Sequence, residues 1–134
     1  MWRWLESTDR LQRETYGFGD LYASTMDGDD ADAEVADYLD WNQTAAIQEL
    51  AEAREEFSWK PWATDPPFVN RDRVRDEVID ALHFLGNMLT ILGVDDDELA
   101  AEYQRKQEIN RRRAASGTYS AKKGGLAEGS DAES

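Results

Sequence analysis

The chain has no cysteine, which excludes disulfides and thiolate metal sites and leaves its redox compartment open. Histidine is nearly absent too, with His83 the only one. All three prolines fall between residues 58 and 69, so every other stretch is free to be helical. No run of 18 apolar residues exists, which excludes a helical membrane span, and the N-terminus lacks the apolar centre of a signal peptide. A cytoplasmic location, with no membrane partner, is the resulting expectation. Basic residues are few, 15 against 29 Asp and Glu, for a net charge of −14. Without a counterion-releasing basic surface, a nucleic-acid partner is not expected. A small anionic substrate remains possible if metal ions and a local basic cluster receive it.

What is present suits an all-α bundle. At 134 residues, 40% of them hydrophobic and five of them Trp, the chain fits one domain with a modest core. The expected organisation is a single helical domain over 1–114 and a polar, largely disordered tail over 115–134. The first helix covers 1–16, with Trp4, Leu5, Leu11 and Tyr16 as buried positions, and Gly17 and Gly19 end it. Residues 17–33 read as an exposed Gly- and Asp-rich loop, with Asp30 or Asp32 capping a second helix at about 34–57. Its expected apolar stripe is Val35, Leu39, Ala46, Leu50, Ala53 and Phe57. A rigid loop carrying Trp59, Lys60 and Trp62 follows. Asn70 then caps a third helix, 71–92, with Val74, Val78, Ala81, Leu82, Leu85 and Leu89 inward, and Gly93 stops it. Asp95, Asp96 and Asp97 suit the positive end of a fourth helix reaching about residue 114. Four short helices and five Trp leave apolar surface to cover, so association into an oligomer is expected.

The chemistry concentrates in two acid pairs, Glu49 with Glu52 and Glu77 with Asp80. Each pair is spaced i, i+3, which puts both carboxylates on one helix face about a turn apart. If the two helices pack, four carboxylates enter one small volume, where they must shift pKa or hold a cation. Hard oxygen ligands of this kind suit Mg²⁺ or Mn²⁺ rather than zinc or copper. Such pairs are also common on solvated helix faces, so spacing alone leaves both readings open. Asp80, His83, Phe84 and Asn87 continue one stripe on the same helix. His83 could orient an acid, and the Asn87 amide could read a base or a sugar hydroxyl. On the last helix Arg105, Lys106, Arg111, Arg112 and Arg113 face only Glu102 and Glu108 between residues 101 and 113. Two explanations fit that surplus, complementing the helix dipole or clamping phosphate.

Taken together these motifs resemble the all-α nucleoside triphosphate pyrophosphohydrolases, the superfamily of MazG-type enzymes and dimeric dUTPases. The superfamily signature E-E-x-x-E followed by E-x-x-D reads here Gln48-Glu49-Leu50-Ala51-Glu52 and Glu77-Val78-Ile79-Asp80, with Gln48 in place of the first acid. The dimeric dUTPase branch is matched further. Phe57-Ser58-Trp59-Lys60-Pro61-Trp62 resembles its aromatic-lysine loop, and Asp80-Ala81-Leu82-His83-Phe84 its D-x-x-H-F continuation. Tyr103, Lys106, Asn110, Arg113, Gly117 and Tyr119 follow its late pattern. The resemblance covers about residues 8–119. It implies Mg²⁺ (or Mn²⁺) held by Glu49, Glu52, Glu77 and Asp80, with Glu49 as the base for an attacking water. It further implies phosphate contacts from Lys106, Asn110 and Arg113, joined by Lys60 and Tyr119, and base contacts from Gln12, Trp59, Phe84 or Asn87. Thr15 stands where the branch often has asparagine. The implied reaction converts a nucleoside triphosphate, with dUTP foremost, to the monophosphate and pyrophosphate in a homo-oligomer, a dimer or a tetramer. The alternatives are a MazG-like range over other deoxynucleotides such as dGTP or dATP, or a helical adaptor without activity.

Overall fold

The structure is a computed structural model and describes residues 2–24 and 29–117. Its helices are α1 (Trp4–Glu14), α2 (Gly19–Ser24), α3 (Asp29–Arg54), α4 (Arg71–Ile91) and α5 (Asp96–Ala115). No strand forms among the described residues, only an isolated antiparallel bridge between Phe57 and Val69. The chain is therefore all-α, as its sequence implies. It divides into two compact units, one ending at Asp95 and one beginning at Asp96. No single helix among the described residues is long and apolar enough to cross a membrane.

The first unit is built on α3 packed against α4, with α1 laid on α4. Buried and half-buried positions on α3 are Ala31, Val35, Tyr38, Leu39, Asn42, Ala45, Ala46, Glu49 and Ala53, which share one side of the helix. Of the expected stripe, Val35, Leu39, Ala46 and Ala53 lie on it and Phe57, just past the helix, is half buried; Leu50 is the exception. Leu50 is half exposed, because small and polar side chains, not leucines, occupy the line that faces α4. On α4 the expected inward residues Val78, Leu82 and Leu85 are likewise exposed, while Ala81 is buried.

Three further expectations are corrected. On α1, Leu5, Thr8 and Gln12 are buried and Trp4 is half buried, but Leu11 and Tyr16 face solvent. Within the supposed loop at 17–33, α2 forms because Tyr22 buries against Tyr38 and Ile91, with Phe18 and Leu21 packed beside them. α3 begins at Asp29 rather than about 34, so Asp30 and Asp32 lie inside it. Acidic residues in the first turns favour the positive end of the helix dipole and extend it backwards. Residues 25–28 and 118–134 lie outside the described residues, and with them most of the expected tail.

Helix ends follow ordinary chemistry. Gly17 (φ 78) and Gly93 (φ 80) adopt the left-handed conformation that ends α1 and α4. Asn70 occupies the N-cap of α4, yet its side chain makes no capping bond. Its Nδ2 instead donates to Glu56 Oε2 at 2.8 Å, and its backbone N–H donates to the Glu56 carbonyl at 2.8 Å. In this way Glu56 closes the neck of the proline loop, where the expected cap gave way to a tertiary bond.

Gly86 lets α1 approach α4 closely. A Cβ built there would lie 3.1 Å from Trp4 Cζ2 and 3.4 Å from Thr8 Cγ2. Gly86→Val should therefore lower stability by about 1–3 kcal/mol through overpacking, despite the helix propensity gained over glycine. Chemical denaturation of the variant beside the parent chain measures it, and unchanged stability would show that α1 is not held there.

Candidate metal and nucleotide site

α3 and α4 run antiparallel, and their register is fixed by a buried bond. Asn87 Nδ2 donates to Asn42 Oδ1 at 2.9 Å, and Asn42 Nδ2 donates to the Tyr38 carbonyl at 2.8 Å. Both asparagines are fully buried. Asn87 is thus part of the helix interface, and its Oδ1 has no hydrogen-bond partner among the described residues. Asn42 escaped the sequence reading. Its signal is positional, since it falls in register between Tyr38 and Ala46 on the buried stripe.

Two turns along α3 from Asn42, the same register brings the acids together. Glu49, Glu52 and Glu77 each place a carboxylate oxygen within 4.8 Å of the others. Glu49 and Glu77 are half buried and Glu52 is exposed. The Glu49 carboxyl is pushed up to about 7 from its ordinary 4.5. The largest cause is a hydrogen bond shared with Glu77, followed by desolvation, a bond to Glu52 and the charges of Glu52 and Asp80. Asp80 is exposed and reaches this group through its charge. A proton on Glu49 is what holds the crowded oxygens together in the bare protein. The donor set is all hard oxygen, on two helices, and it fits a divalent cation of the Mg²⁺ kind.

Beside the acids lies a directed chain of buried polar groups. The Tyr22 and Tyr38 hydroxyls are 2.7 Å apart, Tyr38 donates to Gln12 Oε1 at 3.4 Å, and Gln12 Nε2 lies 3.2 Å from His83 Nε2. An amide nitrogen only donates, so His83 Nε2 accepts, and the ring is neutral with its proton on Nδ1. Burial lowers the His83 pKa in the same sense, against the pull of Asp80. Burial also raises both tyrosines. Next to this chain an open groove of about 690 Å³ is lined by Phe18, Leu21, Tyr38 and Trp41. Trp41 meets Phe84 edge-on at 5.8 Å, and Phe84 meets His83 at 5.6 Å.

The proline loop places Trp59 and Lys60 after α3. Arg54 stacks 3.6 Å over the Trp59 ring, Lys60 Nζ is 5.7 Å from it, and Trp62 packs edge-on at 5.7 Å. Backbone and hydroxyl bonds between Ser58 and Phe68 hold the neck of the loop. In the second unit Lys106, Asn110 and Arg113 share one side of α5 by their spacing. Arg105 pairs with Glu102, and Arg111 with Glu108, so two of the five basic residues are tied to acids on their own helix. Tyr119 lies outside the described residues.

A family model described as dUTPase matches residues 23–90, just over half of the chain. The chain belongs to the dUTPase family. The matched span holds α3, the loop after it and all but the last residue of α4, and so all four acids of the two pairs. No curated protein and no solved structure matches the chain.

The raised Glu49 has a consequence for stability. Because the folded protein binds this proton more tightly than the unfolded chain, its contribution is present below about 4.5 and lost as pH rises through about 7. A divalent ion takes the proton's place, so its stabilising effect should grow over the same window. The expected result is a small Mg²⁺-induced rise in Tm at pH 5.5 and a larger one at pH 8. In the metal-free protein, Glu49→Gln should flatten the decline between those values. Equal Mg²⁺ shifts at both pH values would show that these acids do not bind the ion.

Proposed function

We propose that the chain is a Mg²⁺-dependent dUTP pyrophosphohydrolase that releases dUMP and pyrophosphate. The observation that carries this reading is the convergence of Glu49, Glu52 and Glu77 on packed helices, in a chain of the dUTPase family. Glu49, Glu52 and Glu77, with Asp80 beside them, would hold the divalent cation. When bound, it supplies neutralisation of the phosphate charge and acidification of the attacking water. Glu49 is the proposed group to orient the attacking water and take its proton, the role that the resemblance implies for it. Lys106, Asn110 and Arg113, with Lys60 and Tyr119, are the proposed phosphate contacts.

The base takes the groove beside Trp41. Trp41 precedes Glu49 and Glu52 on α3 by eight and eleven residues, roughly 12–16 Å at the rise of an α-helix. That separation suits a nucleotide lying along α3, base at one end and phosphates at the other. Gln12 stands behind the groove, bonded to Tyr38 of its lining and to His83, and is the proposed base contact. Of the other base contacts implied by the resemblance, Phe84 packs against Trp41, while Trp59 and Asn87 have different surroundings. Trp59 is stacked under Arg54, and Asn87 is enclosed between the helices.

Pyrophosphate release across the common NTPs and dNTPs, with and without Mg²⁺, tests the reading. Turnover of dUTP above the other nucleotides, abolished by chelation, is expected, and Glu77→Gln should reduce kcat/KM by about a hundred- to a thousandfold. Lys106→Ala should cost less, on the order of tenfold, chiefly in KM. A preference for dGTP or dATP would reassign the substrate. Absence of turnover on every nucleotide with Mg²⁺ or Mn²⁺ would remove the enzymatic reading.

A further inference from the structure

One residue from each helix of the first unit enters the buried polar chain. Gln12 comes from α1, Tyr22 from α2, Tyr38 from α3 and His83 from α4. Gln12, Tyr22 and Tyr38 are buried and His83 is half buried, so the chain is largely shut off from water. Packing fixes the rings themselves. Phe18 lies 5.1 Å from Tyr38, Tyr22 meets Tyr38 edge-on at 5.8 Å, and Phe84 meets His83 edge-on at 5.6 Å. Only the direction of each hydrogen is then left to settle.

Valence settles it. Gln12 Oε1 accepts from the Tyr38 hydroxyl at 3.4 Å, and Gln12 Nε2 donates to His83 Nε2 at 3.2 Å. Tyr38 gives its one proton to Gln12, so the hydrogen between the two tyrosine oxygens, 2.7 Å apart, belongs to Tyr22. Every donor in the chain thus points the same way, from Tyr22 toward His83. Turning the Gln12 amide over would set Oε1 against the lone pair of His83 Nε2, and an N–H against the Tyr38 hydrogen. The ring tautomer and both hydroxyls would have to reverse with it. A glutamine without such neighbours turns over freely and offers donor and acceptor in either order.

We propose that Tyr38 and His83 are positioning residues that lock the Gln12 amide in one orientation, and that this lock makes the site prefer a uracil edge to a cytosine edge. The lock acts on selectivity through Gln12 as base contact, and so it rests on the dUTP reaction proposed above. With its bonds inside the chain made, Gln12 keeps one N–H at Nε2 and one lone pair at Oε1. Uracil presents N3–H beside the O4 acceptor. Cytosine presents a bare N3 beside the N4 amino donor, the same two sites with donor and acceptor exchanged. A glutamine able to turn over pairs with either edge. A locked one makes two hydrogen bonds to the first base and meets the second with lone pair on lone pair and hydrogen on hydrogen. No other side chain of α1 is an amide that could read the second arrangement.

Because His83 is the only histidine, its two ring nitrogens give single signals in the nitrogen NMR spectrum of the full chain. The expected pattern is a protonated Nδ1, a bare Nε2 and a coupling across the hydrogen bond from Gln12 Nε2 to His83 Nε2. A proton on Nε2 would overturn the proposal, and this measurement on the parent chain stands even where a variant fails to fold. Tyr38→Phe and His83→Phe each release one end of the amide and keep a ring for the packing. Each should narrow the kcat/KM preference for dUTP over dCTP by about tenfold or more, chiefly through a lower KM for dCTP. Preference for dUTP over UTP, which differ at the sugar, should stay as in the parent, whereas general damage would lower all three turnovers alike. Variants with helical content intact and the parent's dUTP-to-dCTP ratio would overturn the lock and leave the proposed reaction standing. A parent chain that turns over no nucleotide would overturn both.

Discussion

Three carboxylates cannot share one volume for nothing, and that constraint governs the first unit. Glu49, Glu52 and Glu77 sit within 4.8 Å of one another because α3 and α4 pack closely at a fixed register. In the bare protein the hydrogen bond to Glu77, desolvation and the neighbouring acids lift Glu49 to about 7, and the proton so held relieves the repulsion. A proton and a divalent ion are alternative solutions to the same electrostatic problem. A site that tolerates the first near neutral pH is ready to exchange it for the second. Local instability, confined to three side chains, is what makes the cluster useful.

Close packing in turn dictates what lies between the helices. Ala46, Ala53 and Ala81 are buried as expected, and small side chains let two helix backbones approach. The large apolar residues are displaced to the flanks. This is why the hydrophobic periodicity of α3 and α4 predicts the helices and the buried alanines correctly but wrongly draws the leucines beside them inward. Leu50, Val78, Leu82 and Leu85 do form a stripe, and it points away from the intramolecular core. A stripe of leucines says that something packs there without saying whether the partner is in the same chain.

Other features were legible because their chemistry is local. The loop punctuated by Pro61, Pro66 and Pro67, the stop at Gly93 and the acid-rich start of α5 each follow from one residue type acting on its own backbone. The i, i+3 acid pairs were readable as pairs, since helix geometry alone sets their separation. Their convergence needed the packing of two helices 28 residues apart in sequence at Glu49 and Glu77, which no local rule contains. α2 was missed for a similar reason. Its six residues gain their stability from Tyr22 burying against Tyr38 and Ile91, a contact invisible in a stretch rich in Gly and Asp. Asn70 illustrates the reverse, a residue of the right type at the right position whose side chain prefers Glu56 to its own helix.

The buried asparagines explain how a core of small residues can still be specific. Alanines facing alanines would accept several registers, because sliding one helix along the other changes little in their packing. Asn42 and Asn87 remove that freedom. A slip of one helical turn, about 5.4 Å, would break their bond and strand two buried amides. Each amide left unsatisfied in that way costs about 1–3 kcal/mol. The same slip would carry Glu77 past Glu49 by a distance larger than the present spacing of the cluster. The polar pair is two turns of α3 from the nearest acid and touches none of them. It acts by making only one alignment of α3 on α4 affordable, and that alignment is the one in which the carboxylates meet.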